Sequence, residues 1–237
     1  MTEVTYQQAL EAAIDSGIER LDAQLLLLHA MGKSATDRAW LVAHDGDALD
    51  AATFHRFADF RRRHMSGEPL AYILGYKDFY GMHLKVDVRV LVPRADTEVL
   101  VDWALHALRA TDLASHPRVL DLGTGSGAIA LAIASVIKAE ISVDRAADMV
   151  QTPQSEWRVA TILAIDASND ALAVATKNAQ ALGLALEFLQ SNWFIEVSGR
   201  FHLIASNPPY IANADPHLTT LSHEPLEALT AGSDGLD

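Results

Sequence analysis

Tyr6, Ala9, Leu10, Ala13 and Ile14 recur at the i, i+3, i+4 spacing of one buried helical face, and Gly17 supplies a stop. The same period predicts a second helix through "RLDAQLLLLHAMG" to Gly32. A third runs through "LDAATFHRFADFRRRHMSG" and ends at Gly67, just ahead of Pro69. Residues 1–72 therefore read as an all-helical domain. In "DFYGMHLKVDVRVLVPR" the period drops to two, with Met82, Leu84 and Val86 alternating with His83, Lys85 and Asp87. That is the pattern of half-exposed strands, and it predicts a β-hairpin linker over residues 73–96.

Beyond Thr97 the rhythm changes again. A helix carries Leu100, Val101, Ala104 and Leu108, a strand runs from Arg118 to Leu122, and a glycine-rich turn leads into a helix from Ile129 to Val136. A strand at Val159 to Ile165, a helix at Asp170 to Leu182, and strands near Leu186 to Leu189 and Leu203 to Ala205 follow. Alternating β and α units predict a parallel, doubly wound sheet over residues 97–237, an α/β fold. Residues 145–157, "RAADMVQTPQSEW", sustain no period and contain Pro153, so they read as an exposed insertion.

Composition narrows the function classes. Half of the 237 residues are apolar, enough for real cores, and 18 Lys+Arg against 31 Asp+Glu give a net charge of −13. Such a surface does not embrace nucleic acid by neutralising phosphates; a small ligand or a basic protein partner suits it better. Without cysteine there are no disulfides and no thiolate metal sites, and His29, His44 and His55 lack metal-ligand spacing, so no metal is expected. The basic run Arg61 to His64 reads as a solvated last helical turn that complements the helix dipole. No stretch has the length of a signal peptide core or a membrane span, and a cytoplasmic protein is expected.

Two motifs carry chemistry. In "VLDLGTGSGAIALAIA" a buried strand ends at Asp121 and Leu122 and meets Gly123, Gly125 and Gly127 before a helix begins. Glycines let backbone approach a ligand closely, and the helix N-terminus offers free N–H groups, an arrangement that holds nucleotide-like ligands. An acid at the end of the next strand can accept both hydroxyls of a ribose. Asp144, ending "ISVD", and Asp166, ending "VATILAID", both qualify, and Asp166 is favoured because its strand feeds the next helix directly. The second motif is "LIASNPPYIA": each proline lacks an N–H and holds the residue before it extended, so the amide of Asn207 and the carbonyls of Asn207 and Pro208 stand at a strand's end as free acceptors.

The G-T-G-S-G turn led by Asp121 resembles motif I of the class I S-adenosylmethionine-dependent methyltransferases. Together with "SNPPYI", "EPLAYILGYKDFYG" and "VPRADTE", it makes the whole chain resemble the HemK family of protein-(glutamine) methyltransferases. The "PRADTE" segment resembles the branch that modifies the Gly-Gly-Gln motif of class 1 peptide chain release factors. The resemblance implies a Rossmann-like domain binding S-adenosyl-L-methionine through Gly123, Thr124, Gly125, Ser126, Gly127, Asp166 and Asn207, with Trp193 beside the adenine. It implies a glutamine site formed by Asn207, Pro208, Pro209 and Tyr210. There the Asn207 oxygen and the Pro208 carbonyl accept from the glutamine NH₂ and Tyr210 packs the planar amide, while Phe79 and Arg94 line the mouth. It further implies a monomer whose helical residues 1–72 dock the release factor.

Three departures from the family pattern stand out. Asn192 replaces the usual aspartate before Trp193, Ala95 replaces a proline, and the chain stops at "GSDGLD" where the family continues with a helix and closing strands, so the methyltransferase domain reads as incomplete at its C-terminus. Three rival functions are carried forward: methylation of a glutamine in a ribosomal protein, methylation of exocyclic amines of adenine or guanine in nucleic acid, and a non-catalytic cofactor-binding fragment.

Overall fold

The computed structural model describes residues 4–110, 116–147 and 160–236. The chain divides into two compact units, Met1–Gly75 and Tyr76–Asp237.

The first unit contains helices α1 (Tyr6–Asp15), α2 (Arg20–Ala30), α3 (Arg38–Ala43), α4 (Ala51–Met65) and α5 (Leu70–Leu74). Thr5 and Gln8 cap α1 reciprocally, and the Asp50 carboxylate accepts the Thr53 N–H at 2.9 Å to start α4. Leu26, Leu27 and Leu28 are consecutive and all fully buried because α2 packs against each of the other four helices. The short α3 and α5, of six and five residues, escape a periodicity reading because neither completes two turns. The Arg61–His64 run is not the solvated turn expected from sequence. Arg61 donates to the Ala12 carbonyl at 3.0 Å, Arg63 grips Glu68 through two bonds of 2.8 and 2.6 Å, and His64 faces Asp22 at 3.3 Å. Only Arg62 stands in solvent, beside Asp59.

The second unit opens with a hairpin of β1 (Tyr76–Phe79) and β2 (Met82–Lys85). Tyr80 and Gly81, with φ of 49° and 73°, make a two-residue turn whose left-handed backbone matches the strand twist. Phe79, Met82 and Leu84 are buried in the core of this unit, so the hairpin is an integral part of it and not a free connector. After α6 (Thr97–Ala110) come β3 (Arg118–Leu122), α7 (Ala128–Ala147), β4 (Thr161–Asp166), α8 (Asn169–Leu182), β5 (Glu187–Gln190) and β6 (Leu203–Ser206).

The four strands pair in parallel in the order β5-β4-β3-β6. The chain steps outward from β3 to β5 and then returns to the other side of β3. This reversal opens a crevice at the carboxyl ends of the strands. Helix α7 continues eleven residues beyond the expected Val136, to Ala147, so "ISVD" is helical and Asp144 does not end a strand. Residues 145–147 of the expected insertion belong to this helix, and 148–157 lie outside the described residues. Among the described residues no helix is long and apolar enough to cross a membrane, and no cluster of His, Asp and Glu is arranged to hold a metal.

Candidate active site

A cavity of about 650 Å³ occupies the crevice. Its floor is the glycine turn between β3 and α7, one side is formed by the ends of β4 and β5, and the other by the loop after β6 together with residues 225–232 and 89–97. Gly125 has φ of 55°, a left-handed conformation that favours glycine, and nothing lies within 4 Å of where its Cβ would stand. Gly127 answers to a different demand, because a Cβ there would sit 2.8 Å from Leu131 Cδ1 and 3.2 Å from Ala175 Cβ. The first glycine exposes backbone to the cavity; the second lets α7 and α8 close together.

Two carboxylates brace this turn from below and from the side. Asp121, at the end of β3, is fully buried: its Oδ2 accepts Thr124 Oγ1 at 2.6 Å and the Ala130 N–H at 3.1 Å, while its Oδ1 has no partner. Burial, reinforced by the nearby Asp166 charge and opposed by those two hydrogen bonds, pushes its pKa up to about 6. Asp166 ends β4 with Oδ2 accepting the Gly125 N–H at 2.8 Å and Oδ1 accepting the Ser168 N–H at 2.9 Å. Each Asp166 oxygen keeps a further acceptor site, and the residue lines the cavity.

At the end of β5, Ser191 is buried and donates its N–H to the Asp166 carbonyl at 3.0 Å. Its hydroxyl donates to the Trp193 carbonyl at 2.7 Å and accepts the Glu196 N–H at 3.1 Å. This clasp holds Trp193 at φ 51°, an unusual conformation for an indole-bearing residue, and keeps Trp193 and Asn192 on the cavity wall.

At the opposite wall Asn207 follows β6, and its Nδ2 donates to Thr97 Oγ1 at 3.5 Å, which leaves Oδ1 as the free acceptor. Pro208 and Pro209 line the cavity with it. Tyr210 does not: it is 68% exposed, outside the lining, and its backbone N–H donates to the Leu229 carbonyl at 3.2 Å. That backbone bond anchors the loop and leaves the Tyr210 side chain exposed, next in sequence to the lining residue Pro209. Phe79 is likewise absent from the mouth, because it pairs with Met82 across the hairpin and both point into the core, whereas Arg94 lines the cavity as expected.

The structure thus brings together Gly123, Thr124, Gly125, Ser126, Asp166, Trp193, Asn207, Pro208 and Pro209 around one cavity, with Gly127 packed just behind. Sequence reading missed Thr97, Ser191 and Glu224. Ser191 immediately precedes Asn192 and Trp193, and Thr97 lies inside "VPRADTE". Nothing in the aperiodic stretch around Glu224 signals that its carboxylate would be buried. Chemically, the cavity offers exposed backbone and the Asp166 carboxylate at one end and the Asn207–Pro208 acceptors at the other, with Arg94 and Glu227 also in the lining.

Similarity to known proteins extends over both units. A family model described as the PrmC N-terminal domain matches residues 5–75, and a methyltransferase domain model matches residues 113–229. The release factor glutamine methyltransferase of Xylella fastidiosa is 45% identical over 233 residues, covering 97% of this chain and 75% of the relative. Those of Bordetella pertussis and Haemophilus influenzae are 42% and 40% identical, covering 94% and 91% of this chain and 74% and 70% of theirs. Among solved structures, a SAM-dependent methyltransferase from Agrobacterium tumefaciens aligns with a TM-score of 0.39 at 16% identity, covering 56% of this chain and 39% of that one. With identity of this level spread over nearly the whole chain, the protein is a methyltransferase and belongs to the release factor glutamine methyltransferase family.

Proposed function

We propose that this chain transfers a methyl group from S-adenosylmethionine to the side-chain amide nitrogen of the glutamine in the Gly-Gly-Gln loop of a class 1 release factor. The observation that carries the reading is that Asn207 and Pro208, which offer a side-chain oxygen and a carbonyl as acceptors, line one cavity together with a glycine turn braced by Asp166. The donor set fits the cofactor. Open space above Gly125 receives a close ligand, Asp166 retains acceptors for a ribose diol, Trp193 offers a flat wall for adenine, and the orphaned Oδ1 of Asp121 beneath the turn suits a cationic amino acid moiety.

When bound, the cofactor supplies an electrophilic methyl group on its sulfonium. An amide nitrogen is a poor nucleophile because its lone pair is delocalised into the carbonyl. Asn207 and Pro208 each accept one N–H of the glutamine, fixing the nitrogen's orientation and easing its pyramidalisation as the new bond forms. Thr97 contributes by engaging Asn207 Nδ2, so that the oxygen and not the amino group is presented. No strong base is required, since the methylated nitrogen becomes acidic and loses a proton readily.

The helical unit, matched by the PrmC N-terminal model, is the docking platform for the folded factor, and its acids suit a basic partner surface. The enzyme acts as a monomer and makes no contact with nucleic acid of its own. Mass spectrometry of a class 1 release factor incubated with the protein and S-adenosylmethionine tests the proposal. One added methyl mass on the Gly-Gly-Gln peptide is expected, and an unmodified factor alongside a methylated ribosomal protein or nucleic acid would overturn it.

A further inference from the structure

We infer that Glu224 is a positioning residue for methyl transfer: it latches residues 224–232 to Val92 and Arg94, and through them holds the Asn207–Pro209 loop in its working geometry. The Glu224 side chain is only 2% exposed. Its Oε2 accepts the Val92 N–H at 3.1 Å and its Oε1 pairs with Arg94 Nη2, contacts that bridge 132 and 130 positions of sequence.

What the latch holds is the backing of the acceptor loop. The N–H groups of Tyr210 and Ile211 both donate to the Leu229 carbonyl, at 3.2 and 2.9 Å, the Ala231 N–H returns to the Ile211 carbonyl at 3.0 Å, and the Asn213 N–H reaches the Gly232 carbonyl at 2.8 Å. The approach is close enough that a Cβ on Gly235 would stand 2.4 Å from the Tyr210 carbonyl oxygen. On the other side of the loop Asn207 meets Thr97, three residues beyond Arg94. Residues 92–97, 207–213 and 224–232 therefore form a closed ring of contacts in which Glu224 supplies the charged link.

A buried carboxylate stays in place only while its partners satisfy it, and removing the charge leaves Arg94 and Val92 competing for one oxygen. The glycine turn, the end of β4 and the Ser191 clasp lie outside this ring. Loss of the latch should therefore impair transfer while sparing the grip on the cofactor. The inference rests on the reading of Asn207 as the group that holds the reacting amide.

The test uses the whole chain, with Glu224→Gln, Arg94→Met and the double variant. Glu224→Gln is expected to lower kcat on an intact release factor by about tenfold to a hundredfold, the loss typical of a misplacement near 1 Å, with cofactor Kd within about threefold of wild type. Arg94→Met should do the same, and the double variant should be no worse than the worse single. Unchanged kcat in Glu224→Gln, cofactor affinity falling in step with rate, or losses that multiply in the double variant would each overturn the inference; the last would mean that Arg94 acts on the substrate independently of Glu224.

A second readout is independent of the substrate. In Glu224→Gln, amide exchange at Ile211, Ala231 and Asn213 should accelerate while that of β3 stays at the wild-type rate, and equal protection in both proteins would sink the latch. If the wild-type enzyme transfers no methyl to the factor, the functional reading fails, and the exchange experiment still decides whether the latch exists.

Discussion

Asp121 makes the second unit's stability fall as pH rises, and Asp121→Asn should abolish that dependence. The carboxyl ordinarily titrates near 3.8, and in the folded chain burial pushes it up to about 6. The folded state thus holds this proton more tightly than the unfolded chain does, so its favourable contribution is full below about pH 3.8 and is lost as pH climbs through about 6. At about 1.4 kcal/mol for each tenfold change in proton affinity, the whole loss is about 3 kcal/mol, of which roughly half, about 1.4 kcal/mol, falls between pH 5 and 7.5.

Asparagine carries no charge at any of these pH values, and its oxygen can take the place of Oδ2 in accepting from Thr124 and Ala130. Its amino group would stand where Oδ1 has no partner, which adds a cost that does not vary with pH. The informative quantity is therefore the slope of the stability difference. Native-state hydrogen exchange at the β3 amides, corrected for intrinsic rates and followed from pH 5 to 7.5 without cofactor, isolates the opening of this unit. The variant should gain about 1.4 kcal/mol on wild type across that range. A difference that stays flat within about 0.5 kcal/mol would mean that Asp121 is already ionised in the folded protein at pH 5, and that the argument from burial is wrong.

Other outcomes follow from the same site. Because S-adenosylmethionine is cationic, its binding at pH 6 should expel about half a proton from wild type and none from Asp121→Asn, read by calorimetry in buffers of different ionisation enthalpy. Asp166→Ala should weaken cofactor affinity roughly ten- to hundred-fold, about 1.5–3 kcal/mol, while Asp144→Ala leaves it unchanged in the same titration. Asn207→Ala should keep cofactor Kd within about threefold and remove most methyl transfer in a single-turnover assay, as expected for a group acting only on the incoming amide. Gly127→Ala should cost about 1–3 kcal/mol in urea unfolding of the second unit, because the new methyl meets Leu131 and Ala175 at a left-handed φ.

The chain's periodicities were legible wherever an element is long and amphipathic. β3 was read to the residue, since a buried strand running straight into a glycine turn leaves little freedom in its limits. The end of α7 was not, because "KAEISVDRAA" mixes β-branched residues with strong helix formers and only the surrounding structure decides between them. Strand-to-helix continuity favours Asp166 over Asp144, and in the structure Asp166 ends β4 and accepts the Gly125 N–H while Asp144 lies within α7. Phe79 lies away from the mouth because the two-residue turn pairs it with Met82 and directs both side chains into the core, which the motif alone does not show. Glu224 was invisible because its two partners are 130 or more positions away.

Buried Asn178 on α8 donates to the carbonyls of Lys85 and Ser126, at 3.0 and 2.9 Å, and accepts the Lys85 N–H at 2.8 Å. The end of the hairpin and the glycine turn are thus tied by a side chain synthesised after both of them. At about 5–20 residues per second, the interval between Ser126 and Asn178 lasts on the order of 3–10 s, during which the turn has its strand and its glycines but lacks the amide that fixes the Ser126 carbonyl. A growing chain on the ribosome therefore passes through a period in which motif I has been made but is not yet set. The ability of the turn to hold the methyl donor therefore comes no earlier than the emergence of α8.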